Sequence, residues 1–352
     1  MEKYLEDSYY INRDGTPDEF VYSLGHCSLV CAYLILKNSY ENINEYCDIF
    51  LNDTTICLSQ YEDNNLETIR LNENEFIRNV FDFKQSENKS DAFNELESLL
   101  DRGQRVFVQT VSQMLPFSRH YNPNFNMADF IPGHGFLVVH HDEKFFYFVE
   151  SPDLANKLHL KTYKGNMEIG LLEKELAKKV FGAFCNIYTV DINKNNLNAS
   201  YSNFTYAIQQ SIANYTRESD YNGSNRNFYG REAILRLIDI CEEQSISLNQ
   251  IAIHKRDYYD FFDWKIWTIK GARKALCLCL SKKDYDIKNK DISISIIEDA
   301  LKKNIDIWEK TFRLMGKKYF KGDFLLDGDF KKNFVAVLES EDEIIELLKQ
   351  IV

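Results

Sequence analysis

The chain has 352 residues, 44% hydrophobic and 14% aromatic, enough to bury a large core in two domains or one elaborated one. Its net charge of −12 at pH 7 argues against a general binder of nucleic acid or anionic membrane, which an acidic surface repels. No apolar run approaches the ~20 residues of a membrane span, the acidic start Met1-Glu2-Lys3-Tyr4-Leu5-Glu6-Asp7 does not resemble a signal peptide, and eight cysteines are too sparse for a disulfide scaffold, so a cytoplasmic protein with reduced thiols is expected.

In chain order, Arg13-Asp14-Gly15-Thr16-Pro17-Asp18 is turn-rich and leads into Tyr22-Ser23-Leu24-Gly25-His26-Cys27-Ser28. The run Cys27–Lys37 that follows is apolar on every side and predicts a buried helix. Cys27 stands on its first turn, where the helix dipole and unpaired N–H groups favour thiolate, so Cys27 is the candidate nucleophile. Cys31, one turn deeper on nearly the same face, competes with it but reads as structural. Tyr40–Arg78 is mixed and polar, and no element is assigned to it.

Ser90-Asp91-Ala92-Phe93 opens a helix that Arg102-Gly103 closes, and Arg105–Thr110 reads as a strand. After a loop from Leu115 to Ile131, two strong strands, Gly135–His140 and Lys144–Glu150, flank the turn His141-Asp142-Glu143. Strands at Leu158–Tyr163 and Asn186–Val190 enclose a helix at Leu171–Val180. Beyond the Asn-rich linker only helical patterning is visible: Phe204–Thr216, Arg231–Glu243, a span within Ser247–Leu280, Ser293–Leu314 and Ser340–Ile351. The expected organisation is α+β, with a catalytic domain over 1–192, a linker over 193–203 and an all-helical domain over 204–352.

A cysteine nucleophile needs an imidazole to take its proton and a third group to orient that imidazole. His26 adjoins Cys27 but points elsewhere on a helix, and His120, His140, His141, His159 and His254 have no such setting. A hairpin turning about Asp142 opposes residues whose numbers sum to 284, which sets His134 against Glu150 with Cβ atoms ~5 Å apart. His134 is therefore the candidate base and Glu150 its orienter. A register change of one residue would turn Glu150 to the other face and leave Asp153 in reserve. The plainer alternative is that His134 caps a strand beside the Pro132-Gly133 turn.

Gly25-His26-Cys27-Ser28, the Val106-Phe107-Val108 strand leading to Met114-Leu115-Pro116-Phe117, His134-Gly135-Phe136-Leu137-Val138-Val139, Glu150-Ser151-Pro152 and Phe228-Tyr229-Gly230-Arg231-Glu232 occur in an order that resembles the family named for butirosin biosynthesis protein H. That family belongs to the peptidase C39-like group with a papain-like cysteine protease fold. The resemblance implies a nucleophile helix packed on an antiparallel sheet. It also implies a cysteine-dependent acyltransferase that moves an acyl group from the phosphopantetheine thiol of an acyl or peptidyl carrier protein to a small-molecule amine in antibiotic assembly. Two departures stand out. Glu150 lies one residue farther from Pro152 than the family's Asp-Pro arrangement, and residues 17 to 26 lack the Gln that papain-like proteases place upstream for the oxyanion hole. The Cys27 N–H, with Ser23 or Tyr22, is left as the expected donor set.

The aromatics Phe117, Tyr121, Phe125 and Phe130 are candidates to line an acyl pocket or simply to anchor the loop. Leu301–Lys332 holds nine Lys/Arg against five Asp/Glu, a candidate carrier-docking face including Lys310, Arg313, Lys317 and Lys318, or a solvated face. A cysteine peptidase and a non-catalytic ligand-binding protein are the rival functions. No phosphate loop, dinucleotide glycine pattern or zinc spacing occurs, so no cofactor and no metal is expected.

Overall fold

A computed structural model describes residues 2–12, 14–24, 27–39, 43–51, 54–61, 65–71, 80–86, 91–118, 121–127, 134–150, 159–193, 200–251, 257–282 and 293–352. It is an α+β structure whose sheets are antiparallel, and the chain divides into two units. The first takes Met1–Ile43 and Ile77–Leu197, the second Asn44–Phe76 and Asn198–Val352.

The first unit is built on a seven-stranded sheet. Its strands are β3 (Phe81–Gln85), β4 (Val106–Thr110), β5 (His134–His141), β6 (Phe145–Val149), β7 (Thr162–Tyr163), β8 (Asn166–Glu173) and β9 (Cys185–Ile192), in the order β3-β9-β4-β5-β6-β8-β7. Helix α1 (Cys27–Lys37) packs against β5 and is buried from Val30 to Leu36, as its all-round apolar surface requires. Helix α2 (Ala92–Asp101) starts where the Asp91 side chain accepts from the Asn94 N–H at 3.3 Å, a standard N-cap. Its Leu96, Leu99 and Leu100 join Val180 and Phe181 of α3 (Lys174–Ala183) and Val106, Phe136, Val138, Phe146 and Phe148 of the sheet in one core. The helix expected over Leu171–Val180 begins three residues later, because Leu171 and Leu172 pair with Tyr147 and Phe146 and extend β8 to Glu173.

The β5–β6 turn is fixed by Asp142, whose Oδ1 accepts from the N–H groups of Lys144 and Phe145, each at 2.7 Å. The pairing differs from the expected register. Leu137 opposes Val149 and Val138 opposes Phe148, sums of 286, and an irregularity between Val138 and His140 moves the pairs nearer the turn to 287. The loop thus closes between Asp142 and Phe145 rather than about Asp142 itself.

The second unit corrects the expectation of an all-helical C-terminal domain and of an unbroken first domain over 1–192. It contains helices α4 (Ser200–Tyr215), α5 (Gly230–Glu243), α6 (Tyr258–Lys282), α7 (Ile294–Phe320) and α8 (Gly328–Leu348), and also a four-stranded sheet. That sheet joins β1 (Ile56–Gln60) and β2 (Leu66–Leu71) to the hairpin β10 (Asp220–Asn222) and β11 (Asn225–Tyr229), in the order β10-β11-β1-β2. Leu58 faces Phe228 across the β1–β11 pair, and the Ser211 hydroxyl of α4 accepts from the Thr54 N–H at 3.0 Å. These bonds assign Asn44–Phe76 to the second unit. At the start of α5, Gly230 has φ +44, and a Cβ there would lie 2.3 Å from the Tyr215 Cα, so only glycine fits. Among α6, α7 and α8, buried Arg273 donates to Glu341, which also accepts from Asn304 at 3.0 Å. No helix among the described residues is long and apolar enough to cross a membrane.

Candidate functional site

The candidate residues lie in the first unit. Cys27, a partly exposed residue, is the first of α1, and its buried sulfur accepts from the N–H groups of Gly135 and Ser28. Gly135 follows His134 at the start of β5, so the first turn of α1 is joined to the strand that carries the candidate base. A Cβ on Gly135 would come within 2.4 Å of the Phe107 ring and 2.8 Å of the Val108 carbonyl, which explains glycine at this position.

His134 Nε2 lies 2.7 Å from Glu150 Oε2, with the two side chains 11% and 3% exposed. The register of 286 places Glu150 opposite Phe136, not opposite His134. The contact is a diagonal one, and it survives because a shift of two positions preserves the face of every side chain. Against the carboxylate Nε2 is the donor, which in the neutral ring leaves the lone pair on Nδ1. Asp153, the reserve orienter, lies outside the described residues, as do Gly25, His26, Phe130 and Pro132-Gly133.

The expectation of a thiolate at Cys27 is corrected. Burial pushes the thiol up to about 11, the charge of Glu150 adds to the rise, and the backbone N–H groups around the sulfur only partly offset them. The dipole argument holds for a solvated helix start, whereas this one is packed against the sheet. Cys31 is 2% exposed and is pushed well above the thiol range by burial, then by Cys27 and Glu150.

Asp18 ties the segment before Cys27 to α1. Wholly buried, it accepts from Lys37 and Tyr33 of α1, each at 2.8 Å, and from the Phe20 N–H at 3.1 Å. Ser23 is not the expected oxyanion donor, because its buried hydroxyl donates to the Phe20 carbonyl at 2.7 Å. Two residues that the sequence did not single out, Tyr10 and Glu168, reach the same site: the Tyr10 hydroxyl donates to the Glu150 carbonyl, and Glu168 holds the Tyr10 N–H. Polar side chains brought together from residues 10, 150 and 168 leave no local pattern to read.

Of the loop aromatics, Phe117 is core, stacked on Phe148 with ring centroids 4.4 Å apart, and Phe125 packs partly buried against that core. Tyr121 is 43% exposed. The basic stretch in the second unit is also changed by the structure. Lys318 is buried and paired with Asp327, Asp323 and Asp329, so it is no part of a docking face, while Lys310, Arg313 and Lys317 are exposed. No cluster of three or more His, Cys, Asp or Glu side chains suited to a metal occurs among the described residues. A scan against protein-family models and a search of the curated proteins both find no match to this chain.

Proposed function

We propose that the protein is a papain-like, cysteine-dependent acyltransferase that forms an amide bond, taking the acyl group from a carrier-protein thioester and passing it to an amine. The observation that carries this reading is the His134–Glu150 bond, which fixes Nδ1 as the acceptor of a base beside the Gly135–Cys27 contact. A nucleophile at the start of a buried helix packed on an antiparallel sheet supports the papain-like part.

His134 Nδ1 takes the Cys27 proton as the sulfur attacks the thioester carbonyl, and the tetrahedral intermediate collapses to acyl-Cys27 as the carrier thiol leaves with that proton. The first-turn N–H groups of Cys27 and Ser28, which have no intrahelical acceptor, supply oxyanion donors. The amine then attacks acyl-Cys27, gives its proton to His134 Nδ1, and the amide departs as Cys27 regains a proton. A neutral thiol–imidazole resting pair suits this sequence, because thioester exchange is nearly isoenergetic and proton transfer accompanies attack.

The test is intact-mass analysis of the protein with a panel of acyl-loaded carrier proteins, then with amines. An acyl mass on Cys27, absent in Cys27→Ala and discharged by amine, is the expected result. No adduct with any donor removes the reading, and cleavage of peptides by the same three residues replaces it with the peptidase.

A further inference from the structure

Glu150 stands one residue past the end of β6. Its carbonyl is met by the Tyr10 hydroxyl, from 140 residues upstream. Tyr10 is itself anchored. Glu168, on β8, uses both carboxylate oxygens on the N-terminal segment: Oε2 accepts from the Tyr9 N–H at 2.8 Å and Oε1 from the Tyr10 N–H at 3.1 Å. Glu168 is held in turn by its own N–H, which donates to Asn166 Oδ1 at 2.9 Å. The Tyr10 and Tyr22 rings lie 6.3 Å apart, which places Tyr10 beside the segment that leads into Cys27. Burial, then the charges of Glu150 and Glu168, push the Tyr10 hydroxyl well above the phenol range, so it remains a donor.

These contacts form one connected path, from Glu168 through the Tyr10 backbone and hydroxyl to Glu150, and from the Glu150 carboxylate to His134 Nε2. We propose that Tyr10, held by Glu168, is a positioning residue that fixes Glu150 and thereby the tautomer and direction of the His134 imidazole. The proposal rests on the reading of His134 as the base for Cys27. It accounts for a carboxylate on β8 spending both oxygens on two consecutive backbone N–H groups.

The experiment follows the His134 Nε2–H resonance by NMR in full-length protein labelled with 15N-histidine, assigned by its loss in His134→Ala. The wild type and Tyr4→Phe, a control in the same segment whose hydroxyl donates to the Gly103 carbonyl at 3.2 Å, should show a slowly exchanging proton. Tyr10→Phe should speed its exchange with water about tenfold or more, for the loss of one hydrogen bond. Glu168→Gln keeps one acceptor oxygen and should fall between wild type and Tyr10→Phe. Wild-type exchange in both variants overturns the proposal, as does a wild-type spectrum without the resonance. Because this readout needs no substrate, variants that respond in a protein that never accepts an acyl group on Cys27 leave the positioning role standing while the acyl-transfer reading fails.

Discussion

His134 and Glu150 meet at 2.7 Å across neighbouring strands although neither is the other's direct partner in the ladder. The bond is diagonal, and it closes where the Tyr10 hydroxyl secures the Glu150 carbonyl. Glu150→Ala should therefore leave the imidazole without an orienter and slow acylation of Cys27 by ~10²-fold or more, with the fold retained. Stopped-flow or quenched acylation with the best carrier thioester checks this. A rate within a few-fold of wild type would remove Glu150 from the mechanism.

Alkylation by iodoacetamide should report the state of Cys27. With the thiol pushed up to about 11, labelling at pH 7 should be slower than for an ordinary cysteine and should climb about tenfold per pH unit towards that value. Cys185 and Cys241 are pushed by burial to about 12, so Cys27 should label ahead of both, as peptide mapping would show. The sign for stability follows from the same shift. The folded state keeps the Cys27 proton where the unfolded chain has lost it, so this contribution is fully present below about pH 8.5 and is lost as pH rises towards about 11.

Gly135→Ala should be costly. The added methyl meets the Phe107 ring at 2.4 Å and the Val108 carbonyl at 2.8 Å, so β5 must shift and the Gly135 N–H withdraw from Cys27. Thermal unfolding should show a loss of about 1–3 kcal/mol together with slower acylation. Pairing it with Phe107→Leu should recover stability only in part, because the Val108 carbonyl is backbone.

The Asp18–Lys37 pair is buried, at 0% and 8% side-chain exposure, and Tyr33 donates to the same carboxylate. Lys37→Met leaves Asp18 charged and buried, and should cost about 3–5 kcal/mol in urea unfolding. The double variant Asp18→Asn/Lys37→Met should be less destabilised than Lys37→Met alone. The opposite order would show that the pair is not what holds this segment to α1.

Neighbouring lysines on α7 should behave differently. Burial works against the Lys318 ammonium, but Asp327 and Asp323 more than offset it and hold the group above the usual lysine range. Lys318→Glu sets a carboxylate among three others and should lower the melting temperature sharply, whereas exposed Lys317→Glu should leave it within about a degree, since surface changes are small. Only the Lys317 variant is therefore a fair probe of a carrier-docking face.

Elements whose signals are local could be read from the residues alone. The all-round apolar run after Cys27 dictated a buried helix, Asp91 and Gly103 bracketed α2, and the paired aromatic strands around Asp142 dictated a hairpin that carries His134 and Glu150 on one face. That face depends only on the parity of the register, so the meeting of His134 with Glu150 persisted through a two-residue error. The β1–β11 pair could not be read this way, since Leu58 meets Phe228 across 170 residues and the Asp220–Tyr229 hairpin is locally polar. The protonation state of Cys27 also lay beyond the sequence. The helix start that favours thiolate is a local feature, but the desolvation that overrides it comes from the packing of α1 against β5. Tyr10 and Glu168 belong with these, because a path of hydrogen bonds through residues 10, 150 and 168 exists only once the sheet has brought them together.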